Sequence, residues 1–234
     1  MKLYRLSFLV LFVPALATAH IGITTGPALA KTNQKVTFAI NHGCHETPTG
    51  PELDTYAVKI DIPAGIDGTT VRAMPSDFGR AVITKNGNAV TSVKWTRPTA
   101  DLQAAGDLGY YEITLKMKTN DVPFTKIPFV VTQYCKNANG DDVVLAWDDT
   151  TTAEPSPRLI VVPQQHERGW NKLTLTTAVA VAEFGDYFGD ALIVWKGTSA
   201  YSKTKAVSEA IGTTPGVTLL ATDLAAGDEI WVKY

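Results

Sequence analysis

Between His20 and Pro163, short runs rich in β-branched and aromatic residues alternate with turn residues, and no long helical periodicity interrupts the series. Residues 36–40, 56–60, 90–95, 110–117, 129–134, 143–147 and 158–162 each read as a strand. Turn chemistry separates them at Pro63-Ala64-Gly65, at Lys85-Asn86-Gly87-Asn88 and at Asn137-Ala138-Asn139-Gly140. Strands that must bury one face pack sheet on sheet, so this series restricts the architecture sharply. The expected class is all-β: an antiparallel sandwich of immunoglobulin-like or cupredoxin-like outline over residues 20–163.

The character changes after Pro163. Residues 164–168 are polar and read as a linker, and residues 169–234 read as a small, mostly β module with strands near 170–175, 191–195 and 229–233. A short helix is expected between Lys203 and Ile211. Trp170, Tyr187, Trp195, Tyr201 and Trp231 would make a sugar-binding platform if several faced solvent together, but so small a module needs most of its aromatics for a core, and core is the expectation. Asp186, Asp190 and Asp228 match no calcium-loop spacing and read as solvated turn acids. Glu52 and Asp54 lie in a Pro-rich loop with no visible partner.

Residues 1–19 have the grammar of a signal peptide: Lys2 and Arg5, then an apolar run from Phe8 to Leu16, then small residues at Ala17 and Ala19. The run is shorter than the ~18 to 20 apolar residues of a membrane span, and no later stretch approaches that length. The chain is therefore expected to be periplasmic or secreted, cut between Ala19 and His20, with no membrane span in the mature form. Cleavage removes two of the 21 Lys and Arg residues and no acid, leaving 19 cations against 23 Asp and Glu and a net charge of −4. That mild acidity argues against a nucleic-acid partner, which leaves a basic footprint, and suits a bound cation. Cys44 and Cys135 are the only cysteines, and in an exported chain such a pair is expected as a disulfide. A thiolate site for Cu(I), helped by the flanking His42 and His45, is the alternative.

Cleavage at that bond would make histidine the mature N-terminus. An N-terminal histidine offers a metal its free α-amine and its imidazole Nδ1, which together close a six-membered chelate ring. One further residue ahead of His20 would convert the amine into an amide and abolish the chelate.

Several motifs, taken in order, resemble the YcnI-like family of exported copper-binding domains. They are the histidine after the cleavage site, Asn41-His42-Gly43-Cys44, a strand ending Asp61-Ile62-Pro63, Val93-Lys94-Trp95-Thr96, Tyr110-Tyr111-Glu112-Ile113, Pro128-Phe129 leading into Gln133-Tyr134-Cys135, a strand ending in Trp147, and Pro155-Ser156-Pro157-Arg158-Leu159. The resemblance covers residues 20–163. It implies a Cu(II) site in which the amine and imidazole of His20 bind with the carboxylate of Glu112, beside Trp147, which shields or tunes the ion without ligating it. Amine and imidazole nitrogens with a carboxylate oxygen suit tetragonal Cu(II). Glu112 is followed by Ile113 where the family commonly carries an aromatic, and many relatives end in a membrane anchor that is not seen here.

Copper sequestration, trafficking or delivery is the expected function, with copper and another copper-trafficking protein of the envelope as the expected partners. Copper carriers of the CopC-like type share the N-terminal histidine and the sandwich outline. A polysaccharide monooxygenase would need a second histidine in the brace, and His42 or His45 would have to supply it. A metal-free envelope-interaction protein is the third alternative. No Gly-x-Ser-x-Gly elbow, His-Glu-x-x-His motif or phosphate-cradling loop competes with these readings.

Overall fold

The computed structural model describes residues 20–47, 50–103, 109–151, 154–163 and 166–234. The expected signal peptide, residues 1–19, and Gln164 and Gln165 of the expected linker lie outside them. Strands dominate, in antiparallel sheets, as the alternating pattern requires.

Two sheets make the N-terminal sandwich. One has the order Gly22–Ile23, Asn33–Ile40, Tyr111–Thr119, Ile66–Ala73; the other runs Asp142–Trp147, Val131–Lys136, Thr55–Asp61, Ala89–Thr96, Val82–Asn86. Alternate residues of each strand face inward, so Phe38 and Ile40 meet Ile113 and Leu115 from one sheet and Val58, Ile60, Trp95, Val131 and Trp147 from the other in one core. Gly87, with φ of 59°, makes the tight turn of the Val82–Asn86 and Ala89–Thr96 hairpin. A third sheet, Thr125–Pro128, Arg158–Val162, Ala28–Leu29, adds Ile127, Leu159, Val161 and Ala28 to the same core and includes a parallel pairing. Ile66–Ala73, Val82–Asn86 and Thr125–Pro128 are strands that periodicity did not reveal; Val82–Asn86 is exposed throughout, so it carries no buried stripe to recognise.

The C-terminal strands form their own sheet, in the order Trp170–Thr174, Glu229–Lys233, Ile193–Lys196, Ser199–Tyr201, Thr218–Leu219, and the expected helix spans Lys205–Thr213. Its core holds Leu175, Phe184, Phe188, Val194, Ile230 and Val232, and it also takes in Phe124 from the first module. Phe124 adopts φ of 59°, a strained value for a bulky residue, while its N–H donates to Val161 at 2.7 Å. Thr176 Oγ1 donates to the Pro123 carbonyl at 2.8 Å, and Thr177 Oγ1 donates to that of Phe124. At the near end of the second module the His166 ring stacks on Tyr234 at 3.5 Å. Among the described residues no helix is long and apolar enough to cross a membrane.

Candidate metal centre

Register brings the candidate residues to one end of the sandwich. Strand Asn33–Ile40 pairs on one side with Gly22–Ile23 and on the other with Tyr111–Thr119, which sets Gly22, Ala39 and Glu112 in one row. His20 lies two residues ahead of Gly22, and its carbonyl accepts from Asn41 Nδ2 at 2.9 Å. The His20 imidazole is half-buried and meets the Trp147 ring edge-on, with centroids 5.8 Å apart. Glu112 is exposed between the buried Tyr111 and Ile113, and its carboxylate accepts from the Tyr110 hydroxyl at 2.8 Å. That hydrogen bond pushes the Tyr110 phenol above its ordinary value. His20 and Trp147 are thus in ring contact, while Glu112 stands across Ala39 from Gly22 with its carboxylate engaged by Tyr110.

Trp147 is held from inside the protein. Its Nε1 donates to the amide oxygen of the fully buried Gln133 at 3.2 Å. The Gln133 amide nitrogen donates in turn to the His42 carbonyl at 2.7 Å and to Thr55 Oγ1 at 2.6 Å. A buried side-chain amide with both ends satisfied fixes a single arrangement, because any rotation would orphan a polar group. The His42 imidazole also meets the Trp147 ring, 5.6 Å between centroids.

Cys44 and Cys135 form a disulfide, with Cα atoms 6.0 Å apart. Both are buried beside Leu53, which joins the segment bearing His42 and His45 to strand Val131–Lys136. The bridge removes the thiols that a Cu(I) site would need.

Glu52 and Asp54, read in sequence as lacking partners, both have them. Glu52 is the register partner of His45, with Oε1 3.5 Å from His45 Nε2. Asp54 is buried and forms an ion pair with Arg97 at 2.5 Å; it also accepts from Tyr111 Oη at 3.0 Å and from the Gln103 N–H at 2.7 Å. Arg97 lies 43 residues downstream, so no local pattern announces the pairing.

The C-terminal tryptophans also depart from expectation. Trp170 and Trp231 are 49% and 48% exposed, and with Trp195 and Gly197 they line an open groove of about 360 Å³. Trp195 and Trp231 are direct cross-strand partners. Alternation explains the exposure: Ile230 and Val232 fill the core, which sends Trp231 to the opposite face. The three acids do not converge on one point. Asp228 bonds Lys196 and the Ala225 N–H, Asp190 meets His166 at 3.2 Å, and Asp186 and Asp190 both line a cleft between the modules.

No family model matches the chain, and no curated protein matches it. Among solved structures it is similar to an uncharacterised Nocardia farcinica protein with an immunoglobulin-like fold, at 17% identity and a TM-score of 0.47, over 61% of this chain and 98% of that one. It is also similar to a C-terminal fragment of the major pilin of Streptococcus agalactiae, at 9% identity and a TM-score of 0.37, over 92% and 77% of the two chains.

Proposed function

We propose that this is an exported Cu(II)-binding protein that sequesters or delivers copper, holding the ion through the α-amine and imidazole of His20 and the carboxylate of Glu112. The observation that carries the reading is the contact between the half-buried His20 imidazole and Trp147, itself locked by the buried Gln133. An aromatic held rigidly against a ligating imidazole limits its rotation and screens one side of an ion from water. Indole has only a donor N–H and a π face, so Trp147 would act beside the metal and not as a ligand. Glu112, across the Asn33–Ile40 strand, is the nearest acid in the sheet register and reaches solvent, where an incoming ion would be met. Copper leads the divalent first-row affinity order for such nitrogen and oxygen donors. The disulfide supports export, because oxidising compartments preserve such bonds.

The test is a Cu(II) titration followed by electron paramagnetic resonance, comparing the chain that starts at His20 with one carrying an extra N-terminal glycine. The expected outcome is that the first chain binds one more Cu(II) ion than the second, with a nitrogen hyperfine pattern that the second lacks. Identical spectra would remove the brace. Glu112→Gln in the His20-starting chain should weaken binding while leaving the nitrogen couplings in place.

The groove of Trp170, Trp195 and Trp231 favours a second, compatible reading for the C-terminal module: a platform that stacks the apolar faces of sugar rings. Affinity electrophoresis against soluble polysaccharides, with Trp231→Ala as the control, checks it. Retardation that the substitution abolishes supports it, and no retardation on any polysaccharide opposes it.

A further inference from the structure

We infer that His42, His45 and Glu52 form a second, separate site for a divalent transition ion of the zinc or copper class. One ligand atom from each residue lies within 4.8 Å of the others, on a segment that the disulfide and a two-stranded ladder hold in place. His45 Nε2 and Glu52 Oε1 are already 3.5 Å apart. Two ligands at the usual metal–nitrogen and metal–oxygen lengths around a tetrahedral ion stand about 3.3 Å apart, so this pair needs little movement.

The orientation of both rings suits a metal. His42 Nδ1 lies 2.5 Å from the Gly43 carbonyl oxygen, and His45 Nδ1 lies 3.0 Å from that of Gly50. A carbonyl oxygen only accepts, so each Nδ1 is the donor, and in the neutral ring that leaves Nε2 with the lone pair a metal needs. A neutral imidazole whose Nδ1–H is bound to a backbone carbonyl is the usual form of a metal-ligating histidine. An isolated His45 and Glu52 ion pair would account for one of these rings but not for the orientation of both.

The backbone enforces the arrangement. A Cβ at position 43 would lie 1.9 Å from the Leu53 carbonyl oxygen, so only glycine lets the chain between His42 and Cys44 approach the strand that bears Glu52. The His42 carbonyl is fixed by Gln133, and the His42 ring abuts Trp147. His45 and Glu52 are half-exposed, which leaves an approach for the ion and a fourth position for water. Two imidazoles and one carboxylate select zinc or Cu(II) over calcium or magnesium, which prefer all-oxygen shells. None of the three ligands is the amine of His20, so the site stands whether or not the brace does.

Isothermal titration with Zn(II), using the chain with the extra glycine ahead of His20, separates the two sites. One zinc ion per chain is expected, with Kd weakened by about ten- to a hundredfold or more in His45→Ala and in Glu52→Gln. Both residues are half-exposed, and thermal unfolding without metal checks that the variants fold. Absence of zinc binding by the glycine-extended chain, or a Kd unchanged by both substitutions, would overturn the site. Loss of one Cu(II) ion and its own hyperfine pattern in the same extended chain bears only on His20.

Discussion

The indole of Trp147 donates to the amide oxygen of Gln133 at 3.2 Å, inside a core where neither side chain reaches solvent. Through the other end of that amide, Trp147 is tied to the His42 carbonyl and to Thr55. The proposed copper site and the proposed zinc site therefore rest on one buried polar hub.

Replacing Gln133 with Leu should destabilise the protein by about 2 to 4 kcal/mol, since the Trp147 N–H and the His42 carbonyl would both be left buried without a partner. Urea unfolding measures it. A loss under about 0.5 kcal/mol would mean that the hub contributes little.

The ion pair of Asp54 and Arg97 should behave unlike the surface pairs. Both side chains are buried, so Asp54→Asn leaves a guanidinium without its counter-charge and should cost about 3 kcal/mol or more. Asp121→Asn, which breaks an exposed pair with Lys31, should cost under about 1 kcal/mol. Parallel denaturant curves for the two variants decide whether burial sets the difference.

Removing the disulfide by changing both Cys44 and Cys135 to Ala should reduce stability by about 2 to 5 kcal/mol, because the bridge closes a long loop in the unfolded chain. The same variant should bind zinc more weakly if the bridge holds the His42 and His45 segment. Unchanged stability would place the constraint in the Gln133 hub alone.

Asp149 carries the pH prediction. Hydrogen bonds from the Ser156 hydroxyl and N–H, with the Arg158 guanidinium adding to them, hold its carboxyl below the ordinary aspartate value. A depressed folded-state value means that its contribution is present above the unfolded value and disappears as pH falls through the folded one. Asp149→Asn, which still tolerates the φ of 66° at this position, should be less stable than the natural chain near neutrality and equal to it in strong acid. Unfolding midpoints of both chains from pH 7 down to pH 2 test this; a gap independent of pH would refute it.

Much of the sandwich was legible. Strands expected at 36–40, 56–60, 90–95 and 143–147 are found at Asn33–Ile40, Thr55–Asp61, Ala89–Thr96 and Asp142–Trp147, and the cysteine pair is bridged. The exposure of Trp231 was also available, since Ile230 and Val232 flank it and alternation sends it outward; expecting a small module to spend its aromatics on a core obscured that signal. Val82–Asn86 gave no comparable signal, because all five residues are exposed.

The sequence by itself determined which segments become strands, where the chain turns, and which residues offer metal-binding chemistry, because side-chain alternation and turn preference are properties of neighbours along the chain. Only the tertiary structure decided which of them meet. Asp54 with Arg97, Glu52 with His45, and Trp147 with Gln133 are matched by strand register and sheet order, and those follow from burying all the inward faces together in one core.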